Sequence, residues 1–300
     1  MGDPSEKGLN AAEKAHRRKR RRAAIRHAFL TRAPNRLTGR RFSRVRPGRN
    51  FRRNHRVVEL PGLPDELCGL RITHLSDPHV GELVTPDHLP HIVDAANELA
   101  GDMVAVTGDF IDFSNSFLPP VMEAMAQLQA PLGVYFVLGN HDYLDDAEEV
   151  KRAFGQADLA LLLNQAVRLR HRDRVLAVGG IDWSAAQRTQ ARTVRDTWKK
   201  MSPCDLSVLL AHHPHAFDPA HRCGIDLTLS GHTHGGQMLV SNKRSRKGSI
   251  GLANLGFRYT RGLYERGDSR LFVSSGVGSW FPIRFRCPAE ITSLELQATY

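Results

Sequence analysis

The 300-residue chain has only four cysteines, Cys68, Cys204, Cys223 and Cys287, and no two of them form a Cys-x-x-Cys pair. This spacing gives neither a zinc knuckle nor a disulfide framework, and reduced, partly buried thiols are the simpler reading. No apolar run approaches the roughly 18 residues of a membrane-spanning helix. The N-terminus has the positive charges of a signal peptide, but the stretch AAIRHAFL that would supply its apolar core is short and is broken by Arg26 and His27. The expected location is cytoplasmic, with peripheral attachment at a membrane as a variant. Aromatic residues make up 7% of the chain, and Phe29, Phe42 and Phe51 stand isolated among the N-terminal arginines. That region therefore has no aromatic platform for stacking single-stranded bases.

Acidic residues are missing altogether from Arg17 to Arg56, which hold 17 Lys or Arg. With a net charge of +11, the remaining residues sum to 11 − 17 = −6. The chain reads as a mildly acidic body carrying a very basic arm. Residues 1–56 contain few large apolar side chains and have Pro34, Gly39, Pro47 and Gly48 scattered through them. A segment that buries little apolar area does not offset the entropy of ordering. Residues 1–56 are therefore expected to form a disordered or loosely helical arm, and residues 57–300 a folded domain. The arm is open to three readings: a solvated tail, attachment to acidic lipid headgroups, or attachment to nucleic acid. The membrane surface is preferred over nucleic acid.

From Val57 onward, short apolar segments alternate with turns and helical patterns. Residues 70–75, 103–107, 134–138, 175–178, 206–211 and 225–229 read as short buried strands. Between them, residues 86–100, 120–129, 146–154 and 184–200 read as helices, with Pro86 in a first turn where proline is tolerated. This alternation predicts an α/β body with a largely parallel central sheet. After Gly236 the pattern changes to short strands near 238–240, 271–274 and 291–296, read as a second, more antiparallel sheet packed on the first.

The strand ends carry the chemistry. The first strand runs into Ser76, Asp77, Pro78 and His79, the second into Gly108, Asp109 and Asp112, and the third into Gly139, Asn140, His141 and Asp142. Later strands run into His212, His213 and Pro214, and into TLSGHTHGGQ with His232 and His234. Taken singly, each is a common turn sequence, and a lone His-x-His is no more than a polar turn. Ligands in open α/β sheets bind beyond the carboxyl ends of the strands, so five such loops are expected to meet in one crevice. Their Asp, Asn and His donors suit manganese, iron, zinc or nickel better than calcium or copper(I).

The ordered set Asp-x-His, Gly-Asp-x-x-Asp, Gly-Asn-His-Asp, His-x-Pro and Gly-His-x-His resembles the calcineurin-like metallophosphoesterases. The segments SDPHVG, TGDFID, GNHDY and SGHTHGGQ, with the C-terminal RGLYERGDSRLFVSSGVGSWFPIRFRCPAEI, are similar to the bacterial YkuE/YaeI-type branch. The resemblance covers roughly residue 56 to the C-terminus and leaves the arm outside. It implies a four-layered αββα sandwich of two mixed sheets over 57–300, and a metal-dependent phosphoric ester hydrolase.

By the same resemblance, two divalent ions are expected, manganese first. Asp77, His79 and His234 would hold one, Asn140, His212 and His232 the other, and Asp109 would bridge them. His212 is chosen because the family's ligand stands two before the proline, with His213 as the fallback. His141 would lie just outside the metals, placed to donate a hydrogen bond or a proton, and is the candidate general acid, while Asp112 and Asp142 are read as orienting neighbouring ligands. The implied reaction is attack of a metal-bridging hydroxide on a phosphodiester or pyrophosphate, including that of a membrane phospholipid or a UDP-diacylglucosamine-type precursor. Trp280, Phe281, Ile283 and Phe285, interleaved with Arg284 and Arg286, read either as an amphipathic rim gripping a lipid phosphate or as a buried final strand with two surface arginines. The competing functional class is a basic binding module that grips nucleic acid or a membrane through its arm, with the body as scaffold.

Overall fold

Runs of Val, Ile, Leu and Ala bounded by Gly, Asp or Pro build short strands that are buried along most of their length. The computed structural model describes residues 11–39, 50–237, 239–245, 248–251, 256–279 and 281–299. In chain order the elements begin with α1 (Ala11–His27), α2 (Ala33–Leu37), β1 (Phe51–Pro61), β2 (Arg71–Leu75), α3 (Leu89–Glu98), β3 (Met103–Thr107), α4 (Leu118–Met125) and β4 (Val134–Val137). Next come α5 (Ala147–Gln156), β5 (Ala160–Leu161), β6 (Gln165–His171), β7 (Arg174–Gly180), α6 (Gln187–Met201), β8 (Leu206–Leu210), α7 (Phe217–Cys223) and β9 (Leu227–Ser230). The last are β10 (Leu239–Ser245), β11 (Gly248–Gly251), β12 (Gly262–Arg266), β13 (Ser269–Val273) and β14 (Ala289–Thr299).

Two six-stranded mixed sheets result, ordered β1-β14-β2-β3-β4-β5 and β12-β13-β9-β8-β7-β6, with β10 and β11 forming a separate antiparallel hairpin. Their facing surfaces share one core, in which Ile72, Met103 and Val137 of the first sheet meet Val178, Val208 and Leu229 of the second. On the outer face of the first sheet, Val106, Phe110 and Phe136 pack against Ile92 of α3, Val121 of α4 and Phe154 of α5. Outside the second, Val194 of α6 and Ala220 of α7 cover Leu209. The layers are helix, sheet, sheet, helix, as the motif resemblance implied.

Two expectations change. The strands after Gly236 do not make one second sheet: only β10 and β11 pair apart from the two large sheets. β13 lies parallel to β9 in the second sheet, while β14 inserts in the first sheet between β1 and β2. The reason is the long β14, which pairs with β1 in parallel over eleven positions from Phe51 to Pro61 and with β2 on its other side. The body consequently begins before Val57, because Phe51 to Arg56, assigned by composition to the arm, are the first half of β1.

Of the two forms expected for the arm, disordered or loosely helical, its described part takes the helical one. Residues 11–37 are helical, through α1, a π turn at Ala28–Arg32 and α2. Ala, Arg and Lys are strong helix formers, and composition alone did not reveal the partners this helix meets on the body. Residues 1–10, 40–49, Met238 and Trp280, which figured in the sequence reading, lie outside the described residues. Among the described residues no helix is long and apolar enough to cross a membrane.

Candidate metal centre

The carboxyl ends of β2, β3, β4, β8 and β9 open at one edge of the two sheets, and the loops that follow them converge there. Backbone bonds fix the first two loops to each other: the amide of Asp77 donates to Gly108 O at 3.0 Å and that of His79 to Asp109 O at 2.9 Å. Among the candidate ligands Asp77, His79, Asp109, His232 and His234 have φ between 49° and 71°. Non-glycine residues rarely adopt that region, and residues held there cluster where function requires a particular side-chain direction. Small neighbours make the crossings possible. A Cβ on Gly231 would collide with Ser76 Oγ and Asp77 Oδ2, and one on Gly139 with Asp109 Oδ1.

The side chains form two groups. His79 Nε2 and His234 Nε2 are 3.0 Å apart, with Asp77 Oδ1 3.9 Å from the first and 3.5 Å from the second. His212 Nε2 lies 3.1 Å from both Asn140 Oδ1 and His232 Nδ1. Asp109 Oδ2 sits between the groups, 3.4 Å from His79 Nε2 and 3.2 Å from His212 Nε2. The sets Asp77, His79, His234 and Asp109, His212, His232 each bring their donor atoms within 4.8 Å of one another, the reach of one cation; so does His79, Asp109, His141. Asp77, His79, Asp109, His212 and His234 are buried, while Asn140, His141 and His232 are partly exposed and form the mouth.

The tautomers suit a cation. Since a carbonyl only accepts, His212 Nδ1 must donate to Thr107 O (2.7 Å), so that in the neutral ring a cation requires, the Nε2 lone pair faces the cluster. His213 has a different task. Its Nδ1 accepts the amide of His215 at 3.2 Å, and its ring stacks on His215 and packs against His232 and Phe257. Burial pushes His213 down to about 3, helped by its histidine neighbours. His141 also lies beside the cluster, its amide donating to Asp109 Oδ1 (2.7 Å) and its Nδ1 to Asp112 O (2.5 Å). Burial alone would lower this imidazole, but Asp109 and Asp112 outweigh it and raise it to about 9. The buried Asp109 carboxyl is held well below the usual range, because His212, His141 and His79 outweigh desolvation.

Asp142 acts on backbone and not on an imidazole, accepting the amides of Asp109 (2.9 Å), Phe110 (2.9 Å) and Gly139 (2.8 Å). It ties together the loops that carry Asp109 and Asn140. The segment around Arg284 is not the buried final strand that one of its two readings expected. It lies in the loop before β14, with Ile283 and Phe285 about half exposed. Arg284, expected at the surface, is half-buried and donates to Ser275 O (2.8 Å) and Gly278 O (2.6 Å), with its guanidinium 3.2 Å from His234 Nδ1. Gln237 Nε2 reaches Phe281 O (2.8 Å) and Ile283 O (3.1 Å), locking this loop to the end of the Gly-His-x-His segment. Arg284 and Gln237 had no sequence signal beyond position, since both contacts depend on how the last loop folds back. His27, from the arm, was also missed.

Similarity to known proteins agrees with this arrangement. The calcineurin-like phosphoesterase family profile matches residues 70–236, more than half of the chain. An uncharacterized metallophosphoesterase of Helicobacter pylori is 33% identical over 248 residues, covering 80% of this chain and 64% of that protein. A transmembrane protein with metallophosphoesterase domain from Danio rerio is 34% identical, over 80% of this chain and 56% of its own length. The chain thus spans less than two thirds of these two relatives. The uncharacterized metallophosphoesterase YkuE of Bacillus subtilis is 28% identical, with 79% of this chain and 82% of its own covered. The ligand motifs, the two-sheet fold and the family match agree, and the chain belongs to the calcineurin-like phosphoesterases, a family of metal-dependent phosphoester hydrolases.

Proposed function

We propose that this chain hydrolyses phosphodiester or pyrophosphate bonds with two divalent cations, manganese first among manganese, iron, zinc and nickel. The observation that carries this reading is the pair of donor groups that share Asp109 Oδ2. The donors fit such ions. Imidazole and amide atoms crowd at 3.0 to 3.1 Å, with Asp109 Oδ2 3.4 and 3.2 Å from two of the rings, an arrangement that favours a cation between them. Asp77, His79 and His234 would hold one ion, Asn140, His212 and His232 the other, with Asp109 common to both. When bound, such a pair supplies a water acidic enough to attack phosphorus near neutral pH and neutralises phosphate charge.

The protein's own groups do the rest. His141 is the proton donor to the leaving oxygen. Its Nδ1–H is committed to Asp112 O, so Nε2 is the atom able to deliver a proton, and the Asp112 carboxylate 3.5 Å from the ring favours its charged form. Asp142 holds Asp109 and Asn140 in register through three amides. Thr107 O fixes His212, and the Arg284 guanidinium lies behind His234.

A membrane lipid phosphate, such as a phospholipid or a UDP-diacylglucosamine-type precursor, is the preferred substrate class. Two exposed apolar edges support it. Ile283 and Phe285 stand on the loop tied to His234, and Ile25 and Phe29 stand on the arm helix at the same spacing as Arg21. Exposed apolar side chains beside arginines combine apolar area with attraction to anionic lipid, the two contributions on which interfacial binding depends. The test is a phosphoester panel after metal stripping and reconstitution with manganese, comparing bis(p-nitrophenyl) phosphate, nucleotide diesters and lipid pyrophosphates. Preferred turnover of the lipid substrates sustains the reading. Turnover of none, with metal bound, would remove it.

A further inference from the structure

The arm helix touches the body along one stripe. Ala23, His27, Thr31 and Asn35 recur every four residues, and Ala23, Thr31 and Asn35 are buried. Ion pairs flank the stripe: Arg20 with Asp145 at 2.5 Å, and Arg32 Nε with Glu82 Oε1 at 2.9 Å. Asn35 Nδ2 adds a bond to Glu82 O at 3.3 Å. In the middle, His27 Nε2 is 2.7 Å from Asp112 Oδ2. The approach is short but off the hydrogen-bond axis, and neither atom has another partner among the described residues. The His27 ring also stacks on Phe113, with centroids 5.8 Å apart and planes 18° from parallel. A cleft results, walled by Ala23, His27 and Thr31 from the arm and by Asp112, Phe113 and His141 from the body.

Asp112 links this contact to the site. Its peptide oxygen accepts His141 Nδ1–H at 2.5 Å, and its Oδ1 lies 3.5 Å from that nitrogen and 3.7 Å from His79 Nδ1. The second carboxylate oxygen is buried and, among the described residues, faces only His27. A buried carboxylate oxygen with no partner leaves its lost hydration uncompensated, so removing His27 gives the Asp112 loop a reason to move. Any movement of Asp112 O carries the His141 ring with it.

We propose that His27 is a positioning residue of the active site: by engaging Asp112, the arm helix fixes the loop that orients His141, so that arm and body together form the working enzyme. This rests on His141 being the proton donor. The test uses the full-length, manganese-loaded protein with bis(p-nitrophenyl) phosphate as probe, and hydrogen exchange of the loop 110–116 as a readout independent of turnover. His27→Ala is expected to raise exchange at 110–116 and lower kcat about 10-fold, the lower end of what partners of site residues contribute. KM should stay within about twofold and metal content should not change. His27→Gln, which keeps an N–H donor at similar reach, is expected to restore most of both. Arg36→Ala, an exposed arm residue outside the stripe, serves as control and should match the parent protein in both readouts. Unchanged exchange and unchanged kcat in His27→Ala, beside an inactive His141→Ala, would overturn this proposal alone. A fully active His141→Ala would instead overturn the proton-donor reading, and this role for His27 with it.

Discussion

Five of the seven candidate metal ligands sit in left-handed backbone, on loops crossed so closely that Gly139 and Gly231 leave no room for a Cβ. The arm has no positive-φ residue from position 11 to 38 and meets the body through one stripe of side chains. At about 1 kcal/mol or more for each strained residue, the loops hold an unfavourable geometry that the two sheets and the Asp142 amide net must impose. The arm imposes nothing on its own backbone. Substitutions in the cage should therefore remove metal or chemistry outright, and substitutions in the arm should adjust a site that still forms.

The largest expected effect is at Asp109, the one donor shared by both groups. Asp109→Ala is expected to lose bound manganese and all measurable turnover, and His232→Ala to behave alike; metal analysis beside the rate assay decides. An Asp109→Ala protein with full activity would end the two-cation reading. Next comes His141→Ala, which is expected to retain metal and lose about 10²- to 10⁴-fold in rate, the usual contribution of a positioned acid. Co-loss of metal in that variant would place His141 among the ligands, as its closeness to His79 and Asp109 permits.

The contrast also explains what could be read from the sequence. Gly-Asp, Gly-Asn-His-Asp and Gly-His-x-His are local, because the turn that aims a ligand is written in its immediate neighbours, and the residues they contain do meet. The central parallel strands were legible as apolar runs for the same reason. β1 and β6 were not, since their exposed faces carry Arg, His and Gln and break the apolar pattern. The position of β14 between β1 and β2 is a long-range choice that no local pattern encodes. His27 was hidden by the composition of its surroundings. Among so many arginines, a stripe of Ala, His, Thr and Asn at fourfold spacing was the only signal that one face of the arm is not solvent-directed.

A smaller effect separates the core from both regions. His74 is fully buried, with Nε2 2.9 Å from Thr107 Oγ1 and its ring edge-on to Phe272 between the sheets. Burial pushes it from 6.5 down to about 3. The unfolded chain therefore binds a proton below pH 6.5 that the folded chain refuses until near pH 3. Stability contributed by the neutral ring is complete above 6.5 and falls with pH through that window, by up to about 1.4 kcal/mol per unit. His74→Gln is expected to flatten the pH dependence of Tm between 6.5 and 4. An unchanged slope would assign the acid sensitivity to other groups.

The smallest expected effect on chemistry lies on the outer face of the arm. Arg21 and Arg22 are exposed, and Ile25 and Phe29 beside them are 50% and 73% accessible. Each arginine near an anionic bilayer contributes about 1 kcal/mol, so Arg21→Ala with Arg22→Ala should weaken partitioning onto phosphatidylserine vesicles by about 30-fold. Turnover of a water-soluble diester should not change, because neither residue lies on the stripe that carries His27. Partitioning should also weaken with salt, as contacts between exposed charges do. If the double variant binds vesicles as well as the parent protein, the outward arginines are only a solvated face. The inner stripe would then be the part of the arm that matters, and its influence would run through His27 to the cage.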